Sequence, residues 1–280
     1  MAPAEKIGII AGGGQFPLLF ARAAKKAGRS VVVIAHRGET TADIAAVADS
    51  LYWIKLGQLG KIITLLHKEQ VKETVLAGTI TKTRIFRDVF PDIKALTLWK
   101  KITTHQDDAL LRAVAETLEE AGITVRASTI YLNELLFPRG VLTQKKPDRE
   151  QLADITFGWR TARAIGEQDI GQTVVVRHQT VLAVEAIEGT DAAIKRGGAL
   201  GNQDAVVVKV KKPQQDIRFD LPAIGPTTIA SMREVGAKVL AVEAGQSLLF
   251  DPDQTVRAAD KAGIVMVGIA EAPDGTLVMD

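Results

Sequence analysis

The 280-residue chain has no cysteine. That removes disulfides, thiolate zinc sites and cysteine nucleophiles together, and is compatible with a reducing compartment. Its four histidines (His36, His67, His105 and His178) share no ligand spacing such as His-x-x-x-His, which argues against zinc. Only two asparagines occur, Asn133 and Asn202, and neither sits beside a histidine, so the Asn-His-Asp/Glu element of calcineurin-like phosphoesterases is absent. There is no Gly-x-Ser-x-Gly nucleophile elbow. No apolar run approaches the roughly 20 residues a membrane helix needs, and the first residues lack the apolar core of a signal peptide. A formal net charge of +2 gives no global field for nucleic acid or an acidic membrane, so basic character must be local. There is no internal repeat and no low-complexity tract. These absences lead us to expect a soluble, cytoplasmic protein with no nucleic-acid partner.

Short apolar runs alternate with amphipathic stretches in the first half. The pattern predicts strands at 7–11, 31–35, 51–54, 74–77 and 124–127, with helices clearest at 18–27 and 107–121. Two helical stretches end at Gly28 and Gly122, in the position that accepts a left-handed backbone. Such βα alternation argues a parallel sheet covered by helices. Pro, Gly and charge at 138–147 suggest a linker. Beyond it come a helical pattern at 149–165, two strands at 173–177 and 181–186 joined by a tight turn, and further strands at 205–210, 239–242 and 264–267. The expected fold is α/β, with a parallel-sheet domain over 1–137, a linker over 138–147 and a second α/β domain over 148–280.

The stretch 201–228, GNQDAVVVKVKKPQQDIRFDLPAIGPTT, is the most informative. Asp204 precedes an apolar strand, and Lys209, Lys211 and Lys212 lie at or beyond its end. Asp216, Arg218 and Asp220 alternate; on an extended run they would share one face. Carboxylates flanking a guanidinium suit a metal-bridged phosphate, the acids holding a hard cation and the bases holding phosphoryl oxygens. An exposed edge strand of locally paired charges is the competing reading.

Gly12, Gly13, Gly14 and Gln15 form a glycine turn between strand and helix, with Pro17 placed as the first helical residue. A dinucleotide fingerprint would have a glycine at Pro17 and an acid where the chain has His36-Arg37, so a nicotinamide coenzyme is not expected. The glycines at 57 and 60 stand too close together for a P-loop. The acidic run 115–123 lacks the Arg of a Nudix box at Ala115 and is read as a solvated helix face. Ligands collect at the carboxyl ends of strands in α/β sheets, so Glu185, Lys209, Asp220 and Glu243 are expected to converge there. Thr190 or Asp191 is a candidate helix cap. Thr79 and Ile80 end a strand in the first domain, and Asp107 opens a helix.

Five motifs recur in order: Gly-Ile-Ile-Ala-Gly-Gly-Gly-Gln-Phe-Pro, Ala-Gly-Thr-Ile, Glu-Gly-Thr-Asp, Lys-Pro-Gln-Gln-Asp-x-Arg-Phe-Asp-Leu-Pro-x-Ile-Gly-Pro-x-Thr and Ala-Val-Glu-Ala-Gly-Gln-Ser. Together they resemble the UDP-2,3-diacylglucosamine pyrophosphatase family of the LpxI type, over nearly the full chain. The resemblance implies a hydrolase of lipid A biosynthesis that cleaves UDP-2,3-diacylglucosamine to UMP and 2,3-diacylglucosamine 1-phosphate (lipid X). Water would attack the α-phosphorus, with magnesium or another divalent cation as cofactor. It further implies a Rossmann-like N-terminal domain and a distinct C-terminal α/β domain that carries catalysis, a homodimer, a lipid-linked UDP-sugar as substrate, and transient contact with the inner-membrane surface.

Under that resemblance Asp220 is the first candidate for catalysis, as metal ligand or as the group that positions water. Asp216, Asp204, Asp191 and Glu185 follow as base or metal ligands, while Lys209, Lys212 and Arg218 would neutralise the pyrophosphate. Gly12, Gly13, Gly14 and Gln15, with Thr79 and Ile80, would hold uridine. Lys82, Gln106, Thr190, Thr227, Thr228 and Glu243 complete the candidate binding set. The stretches 132–141 and 248–250 could line an acyl groove, although core packing explains both. Two rivals remain open: an enzyme acting on a soluble UDP-sugar, and a non-catalytic nucleotide-sugar sensor.

Overall fold

A computed structural model of the chain describes residues 4–81, 90–101, 107–201 and 203–279. Backbone contacts divide the chain into two units: Met1–Asn133 with Asp216–Asp220, and Glu134–Gln215 with Leu221–Asp280.

The first unit runs β1 (Lys6–Ala11), α1 (Phe16–Lys26), β2 (Ser30–His36), β3 (Ser50–Ile54), α2 (Leu59–Lys68), β4 (Glu73–Ala77), α3 (Ile93–Lys101), α4 (Asp107–Glu120) and β5 (Thr124–Val125). Its five strands form one parallel sheet in the order β3-β2-β1-β4-β5. The inner strands are near-continuous apolar runs because helices leave neither face to water; β2 is buried from Val31 to His36. Gly28 and Gly122 both have φ of +80° just past helix ends, the left-handed stop expected of them. The strand order reverses between β1 and β4, which opens a crevice at their carboxyl ends. Pro17 is the second residue of α1, one place later than expected, where a missing N–H still costs nothing.

The second unit contains β6 (Gly140–Val141), α5 (Arg149–Glu167), β7 (Thr173–Arg177), β8 (Thr180–Val184), α6 (Thr190–Leu200), β9 (Val206–Lys209), β10 (Ala223–Ile224), α7 (Pro226–Glu234), β11 (Val239–Glu243), β12 (Leu248–Leu249), α8 (Pro252–Ala262), β13 (Val265–Glu271) and β14 (Leu277–Val278). Its main sheet has the order β14-β13-β11-β9-β7-β8, with β6 also paired to β13. The stretch 138–147 thus supplies a strand of this sheet. β9, β11 and β13 are parallel; β6, β7 and β14 pair antiparallel with them, and β8 pairs antiparallel with β7.

Strand parity sets two cores. Val175, Val207, Leu240, Val242 and Met266 pack with Ile194, Ile229 and Ala259 from α6, α7 and α8. Their neighbours Val174, Val206, Val208, Val239 and Ala241 pack with Ile155, Trp159 and Ala162 of α5 on the other face. Asp148 caps α5 through a reciprocal box with Gln151. The buried Asp154 of α5 accepts the backbone N–H groups of His178 and Gln179, which both hold positive φ in the β7–β8 turn.

Candidate active site

In the second unit, three candidate residues meet at the carboxyl end of β9. Lys209 is the last residue of that strand and only 3% exposed. Its Nζ donates to Thr190 Oγ1 at 2.6 Å, and the same hydroxyl donates to Glu185 Oε1 at 2.9 Å. Thr190 is therefore not a helix cap. Gly189, with φ of +85°, takes the N-cap position and frees the threonine hydroxyl for this chain of hydrogen bonds. β7 brings in Thr173, which pairs directly with Lys209 and accepts the N–H of Glu185 at its carbonyl. By parity Thr173 lies on the Lys209 face. Thr173 Oγ1, Glu185 Oε2 and Asp191 Oδ1 are each buried without a hydrogen-bond partner. Buried oxygens are seldom left so, and their acceptor capacity suits a ligand. The sequence reading missed Thr173: in the run TVVVR nothing local separates it from a half-buried strand residue.

The other candidates of this unit lie elsewhere. Asp204 is exposed, has φ of +62° and precedes β9, whose opposite end carries Lys209. Glu243 ends β11 with the parity of Ala241 and faces α5, across the sheet from Lys209. Its Oε2 accepts the Lys211 N–H at 2.7 Å and its Oε1 lies 3.6 Å from Arg163. Burial raises its pKa above the usual carboxylate range despite those partners. Of the four residues expected to converge, Glu185 and Lys209 meet through Thr190, Glu243 faces the other side of that sheet, and Asp220 belongs to the first unit. Lys212 is salt-bridged to Asp169. Thr227 and Thr228 open α7 after Pro226, the first exposed and the second buried.

In the first unit, the segment Asp216–Asp220 is a turn rather than an extended run. The Asp216 carbonyl accepts the N–H groups of Phe219 and Asp220, so the three charged side chains do not line one face. Arg218 turns back on Asp216, with Nε at 3.1 Å from both carboxylate oxygens and Nη2 at 2.8 Å from Oδ2. Its Nη1 binds Glu119 at 2.9 Å. The guanidinium expected on phosphate is thus engaged by two carboxylates. Burial works against ionisation of Asp216, but the hydrogen bonds from Arg218 outweigh it and hold the carboxyl below its usual range. The turn is pinned by the Ser128 N–H on the Arg218 carbonyl at 2.7 Å and by burial of Phe219 in the first unit's core.

The glycine turn after β1 is spent on protein contacts as well. Gly12 N–H donates to Ala77 O at 2.8 Å and Gly13 N–H to Thr79 O at 2.7 Å. A Cβ on Gly12 would lie 2.5 Å from the Thr79 carbonyl, so glycine permits loop-on-loop approach at the crevice. Next to this contact is a cavity of about 360 Å³. It is lined by Gly12, Thr79, Ile80 and Asp220 and by a largely aliphatic wall from β1, α2, α3 and α4. His36 also lines it; its Nδ1–H donates to Ala11 O at 2.9 Å, and burial lowers its pKa, favouring neutral imidazole. Lys82 and Gln106 lie outside the described residues.

No group of three or more acidic or histidine side chains suited to a metal occurs among the described residues. Magnesium does not need one, because it keeps water ligands and binds through one or two carboxylates plus substrate phosphate. The partnerless oxygens of Glu185 and Asp191 are hard donors of that kind, so the residues fit such an ion. No described helix is long and apolar enough to cross a membrane.

Fold and site define a two-unit α/β protein: a Rossmann-like first unit bearing an apolar crevice, and a mixed-sheet second unit bearing a buried Lys-Thr-Glu cluster. Residues 6–135 match the LpxI N-terminal domain and residues 138–267 the LpxI C-terminal domain. The UDP-2,3-diacylglucosamine pyrophosphatase LpxI of Caulobacter vibrioides is 34% identical over 278 residues, covering 95% of this chain and 98% of that protein. The chain belongs to the LpxI family. Among solved structures, the Bordetella bronchiseptica enzyme WbmH with NAD+ overlaps 43% of this chain and 37% of its own at 14% identity and a TM-score of 0.30. The leucoanthocyanidin reductase of Vitis vinifera overlaps 53% and 41% at 14% identity and a TM-score of 0.29. Overlaps this low bear on neither substrate nor mechanism.

Proposed function

We propose that the chain hydrolyses UDP-2,3-diacylglucosamine to UMP and 2,3-diacylglucosamine 1-phosphate in lipid A biosynthesis, with water attacking the α-phosphorus. The observation that carries this reading is the full-length match to the Caulobacter enzyme of that name. The Lys209-Thr190-Glu185 cluster supports it chemically. Pyrophosphate cleavage is mostly a matter of positioning and of stabilising charge on phosphoryl oxygens. Lys209 supplies a buried positive charge whose direction is fixed by the Thr190 hydroxyl. Glu185 and Asp191 would hold a divalent cation, magnesium first, which would supply further neutralisation at the phosphoryl oxygens.

Asp220 is assigned to positioning the attacking water. Asp216 acts through the turn: by holding Arg218 it fixes the backbone on which Asp220 sits. A diacylated substrate resides in a bilayer, which favours a cytoplasmic enzyme working at the inner-membrane surface.

Phosphorus-31 NMR of the reaction in oxygen-18 water with magnesium tests the reading. Label in UMP is expected, and Asp220→Ala should slow turnover by roughly 10²–10⁴-fold while leaving the protein folded. Label in the sugar phosphate would move the attack to the other phosphorus. A near-normal rate for Asp220→Ala would end that assignment, and no turnover by folded protein with magnesium would end the reading as a whole.

A further inference from the structure

We propose that Glu243 is a positioning residue for the reaction: from the opposite face of the sheet it fixes the backbone that aims Lys209. This rests on the role proposed above for Lys209. Lys209 is the last paired residue of β9 on both sides, matched to Val242 of β11 and to Thr173 of β7. Past it the ladders give out, and the next two N–H groups are taken up one at a time. Val210 donates to Gln172 O at 2.9 Å on the β7 side, and Lys211 donates to Glu243 Oε2 at 2.7 Å on the β11 side. The chain just beyond Lys209 is therefore held from both neighbours, and on one side a carboxylate does the holding. Lys209 carries its charge on a four-carbon stem that must reach Thr190 Oγ1 at 2.6 Å. A small rotation of its backbone moves that charge by more, and misplacement of a catalytic group by about 1 Å can cost 10²-fold in rate.

The loop that follows is closed largely on itself. Lys211 Nζ donates to the carbonyls of Lys212 and Gln215 at 3.3 and 3.4 Å, and the Lys212 N–H donates to Gln215 Oε1 at 3.1 Å. Lys212 and Gln214 moor it to the end of α5 through Asp169 and the Glu167 carbonyl. Glu243 joins the same loop to β11, beside Lys209. A neutral glutamine could accept the Lys211 N–H equally well in shape, so the charge itself calls for a reason. A largely buried carboxylate is costly, and the Arg163 Nη1 beside it stands at 3.6 Å, beyond a good hydrogen bond. Burial is the largest influence on the group and raises its pKa; the charged groups acting on it are Arg163 of α5, Lys211 beyond β9 and Glu271 of β13. What the charge contributes is a stronger grip, since an N–H bond to an ionised acceptor is roughly twice as strong as one to a neutral acceptor.

The test is a cycle of Glu243→Gln and Lys209→Met, with UDP-2,3-diacylglucosamine and magnesium. Glutamine keeps the shape and the acceptor and removes the charge. It should lower kcat about tenfold and leave KM within about twofold, as expected for a group that matters to the transition state. In the Lys209→Met background the same change should have no further effect, because the group it aims is gone. The kcat ratio of wild type to Glu243→Gln should be constant at alkaline pH and approach one as pH falls through the raised pKa of Glu243, because the protonated residue resembles glutamine. Exchange of the Lys209 Nζ protons with water, followed by nitrogen-15 NMR with Lys209→Met to assign the signal, should quicken severalfold in Glu243→Gln. Equal losses in the two backgrounds, a change confined to KM, a ratio independent of pH or unaltered exchange would overturn the assignment and leave the hydrolase reading intact. Normal turnover by Lys209→Met would remove Lys209 from the site and this proposal with it. If wild type hydrolyses nothing, the hydrolase reading fails, and the exchange measurement alone decides whether Glu243 holds Lys209. Should Glu243→Gln unfold, Arg163→Gln carries the same cycle, since it leaves the carboxylate in place and removes the cation beside it.

Discussion

Thr190 is the residue whose removal should report most directly on the cluster. Replacement by valine keeps the shape and deletes one hydroxyl, which accepts from Lys209 at 2.6 Å and donates to Glu185 at 2.9 Å. Both partners are nearly inaccessible, at 3% and 7% exposure, so water cannot take over either bond. A hydrogen bond to a charged group contributes about 1.5–3 kcal/mol. The two bonds share one hydroxyl and belong to one network, so they will not simply add. Lys209 also keeps a further interaction, which limits its loss. We therefore expect Thr190→Val to destabilise the second unit by about 2–3 kcal/mol. With a urea m-value of about 1–3 kcal/mol/M, that lowers the midpoint by roughly 1 M. Of the three tryptophans only Trp159 lies in this unit, so a background with Trp53→Phe and Trp99→Phe isolates its emission. Thr190→Ser restores the hydroxyl and should recover all but about 1 kcal/mol, the worth of one methyl group. If valine and serine unfold at the same midpoint, the hydroxyl does not carry the stability argued here.

Three further outcomes follow from the geometry. Gly78 has φ of +90°, and a Cβ there would lie 2.5 Å from the Gly13 carbonyl. Gly78→Ala should destabilise the first unit by about 3 kcal/mol in urea unfolding followed by Trp53 emission, and a loss below about 1 kcal/mol would show that the two loops are not held so closely. Asp216 has a folded pKa held below its unfolded value of about 4, so its pairing with Arg218 stabilises above that pH and is lost as pH falls through the lower folded value. The stability gap between wild type and Asp216→Asn should be constant from about pH 5 to 7 and shrink on acidification below about 4; a gap that persists or widens toward pH 2 would contradict the pairing. Lys209→Met, which keeps the length of the stem and removes the charge, should lower kcat/KM by roughly 10²-fold or more with the protein still folded. Unchanged kinetics would remove Lys209 from the site.

Much of the fold was legible because its signals are local. Five strands of the first unit and the βα alternation follow from short apolar runs, and Gly28 and Gly122 stop helices because a left-handed residue needs no partner to be recognised. Asp216, Arg218 and Asp220 misled for the opposite reason. Alternating charge reads as an extended face, whereas Arg218 closes a turn on Asp216 and the buried Phe219 fixes it. That choice depends on a core the segment itself does not contain.

Glu185, Thr190 and Lys209 were named individually from the sequence, and so was Glu243. Their residue types were set by chemistry that any reader of the chain can see. Which of them meet was decided by the pairing of β7 with β8 and β9, and by the docking of α6 over one face of that sheet. Strand parity then sends Lys209 to the α6 face and Glu243 to the α5 face. The aliphatic cavity was invisible in the same way, since its wall is assembled from four elements whose apolar residues each pass for ordinary core. The sequence by itself determined the elements, their stops and the stock of charged and hydroxyl groups, because those depend on neighbours a few residues away. Only the tertiary structure decided which groups share a site, because burial and partnership are properties of contacts between distant segments.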